Sequence, residues 1–427
     1  MLPGYPELDP LNPQEHVREF PHANSWRTVY DSVCFCNRCN MCAQSCPTYR
    51  LTQDESQSPR GRNQILRLLL EGKIKPAPYL PQLEKTLGSC LLCGACTAVC
   101  AGQTPTAQHL LELRRTLKVR MLPLALQTLL SWRGTHPRLF EFAVRFLAEL
   151  RNRGAVKILR FSGLTRLPFL RWVNHADDIL PRRTVFLKTQ LQKAGVKTGS
   201  SNPDLFYLPS LEAAYLDSSL GQSVLKKWAG HPVYVLWGLP SGLFEYVYGS
   251  LRLSRLAARQ VITAAGEGSA PVVTDSADVY AFLKNYPALF LHSKTWRRKA
   301  ERFAARVRFI TRYIPPSKTP CTQRAQLDNS ALFTFQTEAF TSAEKILRVL
   351  FKKNLVQYEY KDTPLPAAGY AFQKGNLADV VCLERVQQIA RKQTEVIIVL
   401  NGLAAMEFNY RLKRIYPQAR AVHIAQL

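Results

Sequence analysis

Cys36-Asn-Arg-Cys39-Asn-Met-Cys42-Ala-Gln-Ser-Cys46-Pro47 and Cys90-Leu-Leu-Cys93-Gly-Ala-Cys96-Thr-Ala-Val-Cys100 share one internal spacing, C-x2-C-x2-C-x3-C. Three cysteines at two-residue intervals wrap a short loop around a cube of iron and sulfide, placing three thiolates on three of its irons. The fourth cysteine, three residues on, has turned into a helix and points away from its own loop. Nine of the eleven cysteines lie between Cys34 and Cys100; the others are Cys321 and Cys382. No basic segment followed by an apolar one marks a secretory leader, so reduced thiols and metal are expected rather than disulfides.

Working outward, the fourth cysteine of each run is expected to serve the other cluster. Cys36, Cys39, Cys42 and Cys100 would hold one [4Fe–4S] cluster, and Cys90, Cys93, Cys96 and Cys46 the second, in a ferredoxin-like domain. Small residues such as Ala43, Gly94 and Ala95 allow the backbone close to the cubes. Zinc is the competing ligand, but it takes four thiolates around one ion, usually as two separated C-x2-C pairs. Two complete four-cysteine runs do not fit that pattern. Cys34 is surplus to the first run and reads as a bystander. Ala101 stands where the first run has Pro47, which changes local geometry and no ligand.

The chain has 427 residues, with 46% of them hydrophobic, which suits several folded domains rather than disorder. No apolar run reaches the 18–20 or so residues needed to span a bilayer. A cytoplasmic location is expected, with a peripheral position on the inner face of the cell membrane as the extension of that reading. The net charge of +26 favours anionic partners. Arginine is dense from Arg114 to Arg183, and Leu139 to Leu150 has apolar residues at helical spacing. Its preferred reading is a solvated helix packing its apolar side on a neighbouring domain. The alternative is contact with anionic lipid through Arg145 and Arg151.

The connecting residues carry a family resemblance. Residues 36–62, CNRCNMCAQSCPTYRLTQDESQSPRGR, with ILRLLLEGKI after them and HLLELRR after the second motif, resemble the iron–sulfur subunit of bacterial glycolate oxidase and its lactate-utilisation relatives. The match covers roughly residues 30–115, and Ser58-Pro59-Arg60-Gly61-Arg62 is its specific part. The resemblance implies a C-terminal region with two copies of a Cys-Cys-Gly repeat, shared with heterodisulfide reductase and the anaerobic glycerol-3-phosphate dehydrogenase small subunit. Here those positions read Pro240-Ser241-Gly242 and Ala367-Ala368-Gly369, with later single-cysteine positions near Ala277 and Gly402-Leu403. Cys321 alone sits where a family cysteine would, and Cys382 matches no ligand position. A retained fold that has lost its metal centre is expected.

Residues 204–208, 233–237, 271–274, 331–335, 355–358 and 395–399 are short apolar runs that read as strands between helices. The stretch from Val272 echoes that from Val396, which suggests two related α/β units. The expected fold is therefore multidomain α+β. It comprises an α-helical two-cluster domain (1–115), a basic helical connection (116–200) and two α/β repeats (201–316 and 317–427).

The expected function is electron transfer inside a flavoprotein complex that oxidises a 2-hydroxy acid, glycolate or lactate. By resemblance, electrons come from a separate FAD subunit and leave towards a quinone or other acceptor, with a membrane surface as a further partner. The chain has no Gly-x-Gly-x-x-Gly and no acid/base constellation, so no catalytic residue of its own is expected. The same relay in a heterodisulfide-reductase-like or glycerol-3-phosphate dehydrogenase complex is the alternative. A nucleic-acid-binding or scaffold protein with structural clusters is the reading of another class. No nucleic-acid motif supports it, and aromatics such as Phe161 and Trp172 are equally well explained as core.

Overall fold

The computed structural model describes residues 26–102, 104–117, 124–167, 170–181, 184–194, 199, 202–247, 250–314, 322–328, 338–357 and 376–427. The N-terminal part is helical: α1 (Trp26–Cys34), α2 (Met41–Ser45), α3 (Pro47–Thr52), α4 (Pro59–Leu70), α5 (Leu80–Gly88), α6 (Ala95–Ala98) and α7 (Thr106–Thr116). Leu66, Leu69 and Leu70 of α4 lie three and four residues apart and so share one face. They join Leu83 and Leu87 of α5 and Leu110 and Leu113 of α7 in a continuous leucine core. α4 starts sharply because Ser58 caps it, accepting from the Gly61 N–H at 2.9 Å, with Pro59 in the first turn where its missing N–H costs nothing. Gly61 is obligatory, since a Cβ there would lie 2.0 Å from the Glu55 carbonyl oxygen.

The basic connection forms α8 (Leu124–Thr135), α9 (Pro137–Asn152), α10 (Ala155–Phe161), α11 (Arg171–Ile179) and α12 (Leu187–Lys193). Phe140, Val144 and Ala148 of α9 pack inward with Phe186 and Tyr215, and both phenylalanines meet the tyrosine ring edge-on at 5.4 and 5.6 Å. The lipid alternative for Arg151 and the core reading of Phe161 need correction. Arg151 is turned inward: its Nε lies 2.7 Å from an Asp177 carboxylate oxygen, and its Nη1 donates to the Pro181 carbonyl at 2.8 Å and to Thr184 Oγ1 at 3.0 Å. That guanidinium is committed to the protein, not to lipid. Phe161 is not core but 96% exposed. The side chain of Trp172 lies outside the described residues.

Two parallel four-stranded sheets follow. The first contains β1 (Leu205–Leu208), β2 (Val233–Val235), β3 (Val272–Thr274) and β4 (Val307–Phe309) in the order β2-β1-β3-β4. α13 (Ser218–Lys226), α14 (Leu243–Val247), α15 (Leu251–Ala265), α16 (Ala277–Lys284) and α17 (Lys294–Arg306) connect and cover it. The second contains β5 (Ala325–Leu327), β6 (Leu355–Val356), β7 (Val396–Val399) and β8 (Arg420–His423) in the order β6-β5-β7-β8, with α18 (Glu338–Phe351), α19 (Asn376–Arg391) and α20 (Gly402–Ile415). The two orders are the same, so β3–α16 corresponds to β7–α20, the pair whose sequences echo. The central strands β3 and β7 are buried throughout, which is why they read as plain apolar runs.

The two sheets meet where their third strands end. Ala277 N–H donates to the Leu400 carbonyl at 3.0 Å, and Ser276 Oγ lies 2.8 Å from Asn401 Oδ1. The first strand of the second sheet is Ala325–Leu327; residues 331–335, read as a strand from sequence, lie outside the described residues.

Candidate metal centre

Both cysteine loops are bent by the same device. The residues just before and just after the second cysteine adopt left-handed backbone: Arg38 (φ 53°) and Asn40 (φ 70°) in the first loop, Leu92 (φ 52°) and Gly94 (φ 75°) in the second. An L-residue in that conformation costs about 1–2 kcal/mol, least for Gly and Asn. Left-handed residues on either side of Cys39 and Cys93 curl each loop back on itself. α2 and α6 then begin at Met41 and Ala95, and Ser45 Oγ ties the two loops by donating to the carbonyls of Cys42 (3.0 Å) and Ala95 (3.4 Å).

This arrangement brings the fourth cysteine of the first run to the second loop. Cys46, Cys90, Cys93 and Cys96 line one small cavity together with Pro47, Pro59, Ala107 and Leu110. Burial pushes the Cys93 thiol up to about 12, with Cys46 and Cys90 adding to it. Cys96 is raised by burial and then by Cys93, Cys90, Cys46 and Cys42. In the other group, burial raises Cys42 to about 11, with Cys36, Cys46 and Cys100 beside it. Cys39 and Cys34 are exposed. Among the described residues, no three His, Cys, Asp or Glu side chains converge as ligands of a single ion.

Crowded, buried thiols resist ionisation because each thiolate would repel the next without solvent to screen it. Iron removes the conflict, since the metal supplies the positive charge that the thiolates lack. The residues present therefore fit an iron–sulfur cluster. A second source of positive charge is built in, and the sequence reading missed it. Arg62, 2% exposed, places Nη1 4.0 Å from Cys46 Sγ and 3.2 Å from Thr48 Oγ1. It is locked by Nε to the Thr86 carbonyl (3.1 Å) and Nη2 to Ser89 Oγ (2.8 Å). Thr48 Oγ1 is itself 3.1 Å from Cys46 Sγ. Arg114, also buried, donates to the carbonyls of Leu87 and Cys90. The available signal was the Ser58–Arg62 segment. Ser58 caps, Pro59 starts the helix, Gly61 clears Glu55, and Arg62 is thereby aimed at the cysteines.

The position expected for a C-terminal metal centre is polar but thiol-free among the described residues. Ser210, Ser241, Ser276 and Asp278 line a small cavity beyond the ends of β1, β2 and β3, together with Arg133 and Glu212. Gly242 remains because its φ is +82° and a Cβ would lie 2.9 Å from the Ser254 carbonyl oxygen. Ala277 and Gly402 open α16 and α20 at equivalent places. Cys321 and Ala367–Gly369 lie outside the described residues, while Cys382 is buried on α19 among Val386, Ile389 and Phe408.

Comparison with known proteins agrees with the geometry of the N-terminal part. Residues 32–103 match the 4Fe-4S dicluster domain family. The probable glycolate oxidase iron–sulfur subunit of Bacillus subtilis is 39% identical over 80 residues, 18% of this chain and 17% of that protein. The glycolate oxidase iron–sulfur subunit of Escherichia coli is 35% identical over 88 residues, 20% of this chain and 21% of the relative. Lactate utilization protein B of Macrococcus caseolyticus is 28% identical over 164 residues, 36% and 32% of the two chains. The matches thus span between a sixth and a third of these relatives' lengths. No solved structure matches the chain significantly. Residues 32–103 thus carry a 4Fe-4S dicluster domain, and in that part the chain is similar to glycolate oxidase and lactate-utilisation iron–sulfur proteins.

Proposed function

We propose that this chain is the electron-transfer subunit of a flavoprotein complex oxidising a 2-hydroxy acid, with two [4Fe–4S] clusters in crossed ligation. Cys36, Cys39, Cys42 and Cys100 hold one, and Cys90, Cys93, Cys96 and Cys46 the other. The observation that carries this reading is the single cavity lined by Cys46 together with Cys90, Cys93 and Cys96. When bound, the clusters supply one-electron chemistry. The chain's own residues hold the thiolates, exclude water through the leucine core and set the local field through Arg62 and Arg114. Electrons enter from an FAD-bearing partner and leave towards a quinone or another acceptor. The division into residues 1–115, 116–200, 201–316 and 317–427 belongs to the same proposal, with the last two units acting as a scaffold without a metal centre.

Purification without oxygen tests it. About eight irons per chain follow from the ligand count, with a broad visible absorption that dithionite bleaches reversibly. Zinc in place of iron would overturn the cluster reading. Co-purification with a flavoprotein is the expected outcome for the complex; tight, salt-sensitive binding to nucleic acid without such a partner would replace it with the structural-cluster reading.

A further inference from the structure

We propose that the α9–α10 hairpin is a docking surface for an anionic lipid bilayer. Of the twenty large hydrophobic residues exposed among the described residues, nine fall between Leu139 and Leu167. Single exposed apolar residues are ordinary, but a concentration of this kind marks a contact surface. α9 is apolar on two sides. Its inner stripe, Phe140, Val144 and Ala148, packs against Phe186 and Tyr215. Its outer stripe, Leu139, Phe142, Phe146 and Leu150, recurs at three- and four-residue spacing and stays exposed, with the Phe142 and Phe146 rings stacked at 6.3 Å. α10 packs against α9 and extends the surface with Ile158 (71% exposed) and Phe161 (96%). The turns before and after α10 stand in open space, since a Cβ on Gly154 or Gly163 would meet nothing within 4 Å.

Charge selects the occupant. Residues 137–167 contain seven arginines and lysines against two glutamates. Arg138, Arg153 and Lys157 are exposed beside the apolar residues. A second copy would bring two such sets of cations together on a chain of net charge +26, whereas anionic headgroups complement them. An apolar stripe flanked by cations is the pattern of a helix lying in the bilayer interface, and no helix of the described residues is long and apolar enough to cross one. The proposal extends the relay reading by naming where a membrane acceptor would be met. Its test does not depend on electron transfer, so the two readings fail separately.

The test is sedimentation of the intact, iron-loaded chain with vesicles of phosphatidylcholine alone or mixed with phosphatidylglycerol. The chain is expected on the mixed vesicles at low salt, with release as salt rises. Phe142→Asp/Phe161→Asp should weaken binding at least about tenfold, and Arg153→Glu/Lys157→Glu should abolish the preference for phosphatidylglycerol. All four side chains are exposed, so both variants should keep their iron and visible absorption. Absence of wild-type binding to the mixed vesicles, or equal binding by both variants, would overturn the proposal. So would a dimer, or a bound protein partner, that Phe142→Asp/Phe161→Asp releases while lipid binding is absent.

Discussion

Replacing Arg62 by Gln removes a buried positive charge whose Nη1 lies 4.0 Å from Cys46 Sγ. An electron added to a cluster held by Cys46 would lie beyond that sulfur, and a separation of about 8 Å from the guanidinium sets the scale. With an effective dielectric constant near 20, one unit charge at that distance is worth about 2 kcal/mol. A cation favours the more negative, reduced state, so its loss lowers the potential. For a one-electron couple, where a tenfold change is 59 mV, the shift is about 90 mV towards negative values. Only the cluster held by Cys46, Cys90, Cys93 and Cys96 should move, leaving the other as an internal reference. The assay is a redox titration followed by electron paramagnetic resonance, with iron counted in each preparation. Arg62→Lys keeps the charge but not the fork that reaches Thr86, Thr48 and Ser89, and should recover most of the potential. If Arg62→Gln keeps full iron and neither potential moves by more than about 20 mV, the field of Arg62 does not act on the cluster. Equal shifts of both potentials would place the charge between the cubes and refute the assignment of Cys46.

Crossed ligation predicts that Cys46→Ala and Cys100→Ala each lose about four irons, from opposite clusters, so their residual electron paramagnetic resonance spectra should differ; matching spectra would contradict the crossing. Burial pushes Asp275 up to about 7 from 3.8, with Glu212 adding to the rise and Ser210 opposing it. The folded chain then binds the extra proton, so stability is present below pH 4 and lost as pH rises towards 7, by at most about 4 kcal/mol. Asp275→Asn should therefore gain stability over wild type as pH goes from 5.5 to 7.5, measured by urea unfolding; a constant difference would show that Asp275 does not titrate there. Arg385 and Asp328 form an ion pair at 2.6 Å with both side chains fully buried. Arg385→Ala should cost about 3–5 kcal/mol in the same assay because it strands a buried carboxylate; a loss below about 1 kcal/mol would mean that Asp328 is protonated or hydrated.

What the sequence revealed, and what it hid, follows from where the information lies. The cysteine runs are legible because ligand spacing is local, and the strands at 205–208, 272–274 and 396–399 because parallel strands inside a covered sheet are mostly apolar; 233–235 is legible as Val-Tyr-Val although Tyr234 is exposed at the sheet edge. β5 was hidden because its sequence is Ala-Gln-Leu. Gln326 is fully buried there, which is tolerated only because its amide donates to the Gln357 carbonyl at 3.0 Å and its oxygen accepts from Arg385 at 3.0 Å. Those partners lie 31 and 59 residues away, beyond any local pattern. β4 and β8 are edge strands that carry arginine, which masks them for the same periodicity. Nothing local marks Arg62 as buried, because its partners Thr86 and Ser89 lie 24 and 27 residues further along the chain. The lipid alternative for Arg151 and the core reading of Phe161 fail in opposite directions, because helical spacing does not say which of two apolar stripes meets the protein.

On the proposed relay reading, the C-terminal half contributes through how it holds the cluster domain. α7 carries Glu112, buried, which accepts from Tyr246 Oη of α14 at 3.2 Å. α3, which begins at Pro47 next to Cys46, a proposed ligand, is tied to α19 by an ion pair between Arg50 and Glu384. One contact reaches the first α/β unit and the other the second, and the two units are joined by Ser276 and Asn401. A buried carboxylate at such a junction costs stability unless its partner stays in place, so the junction tolerates little sliding. Relay rates depend steeply on distance, and a cluster domain clamped to both units holds its distances. Ser241 and Gly242 are compatible with that role, because the clamp needs the backbone that Gly242 permits with its φ of +82° and requires no thiolate.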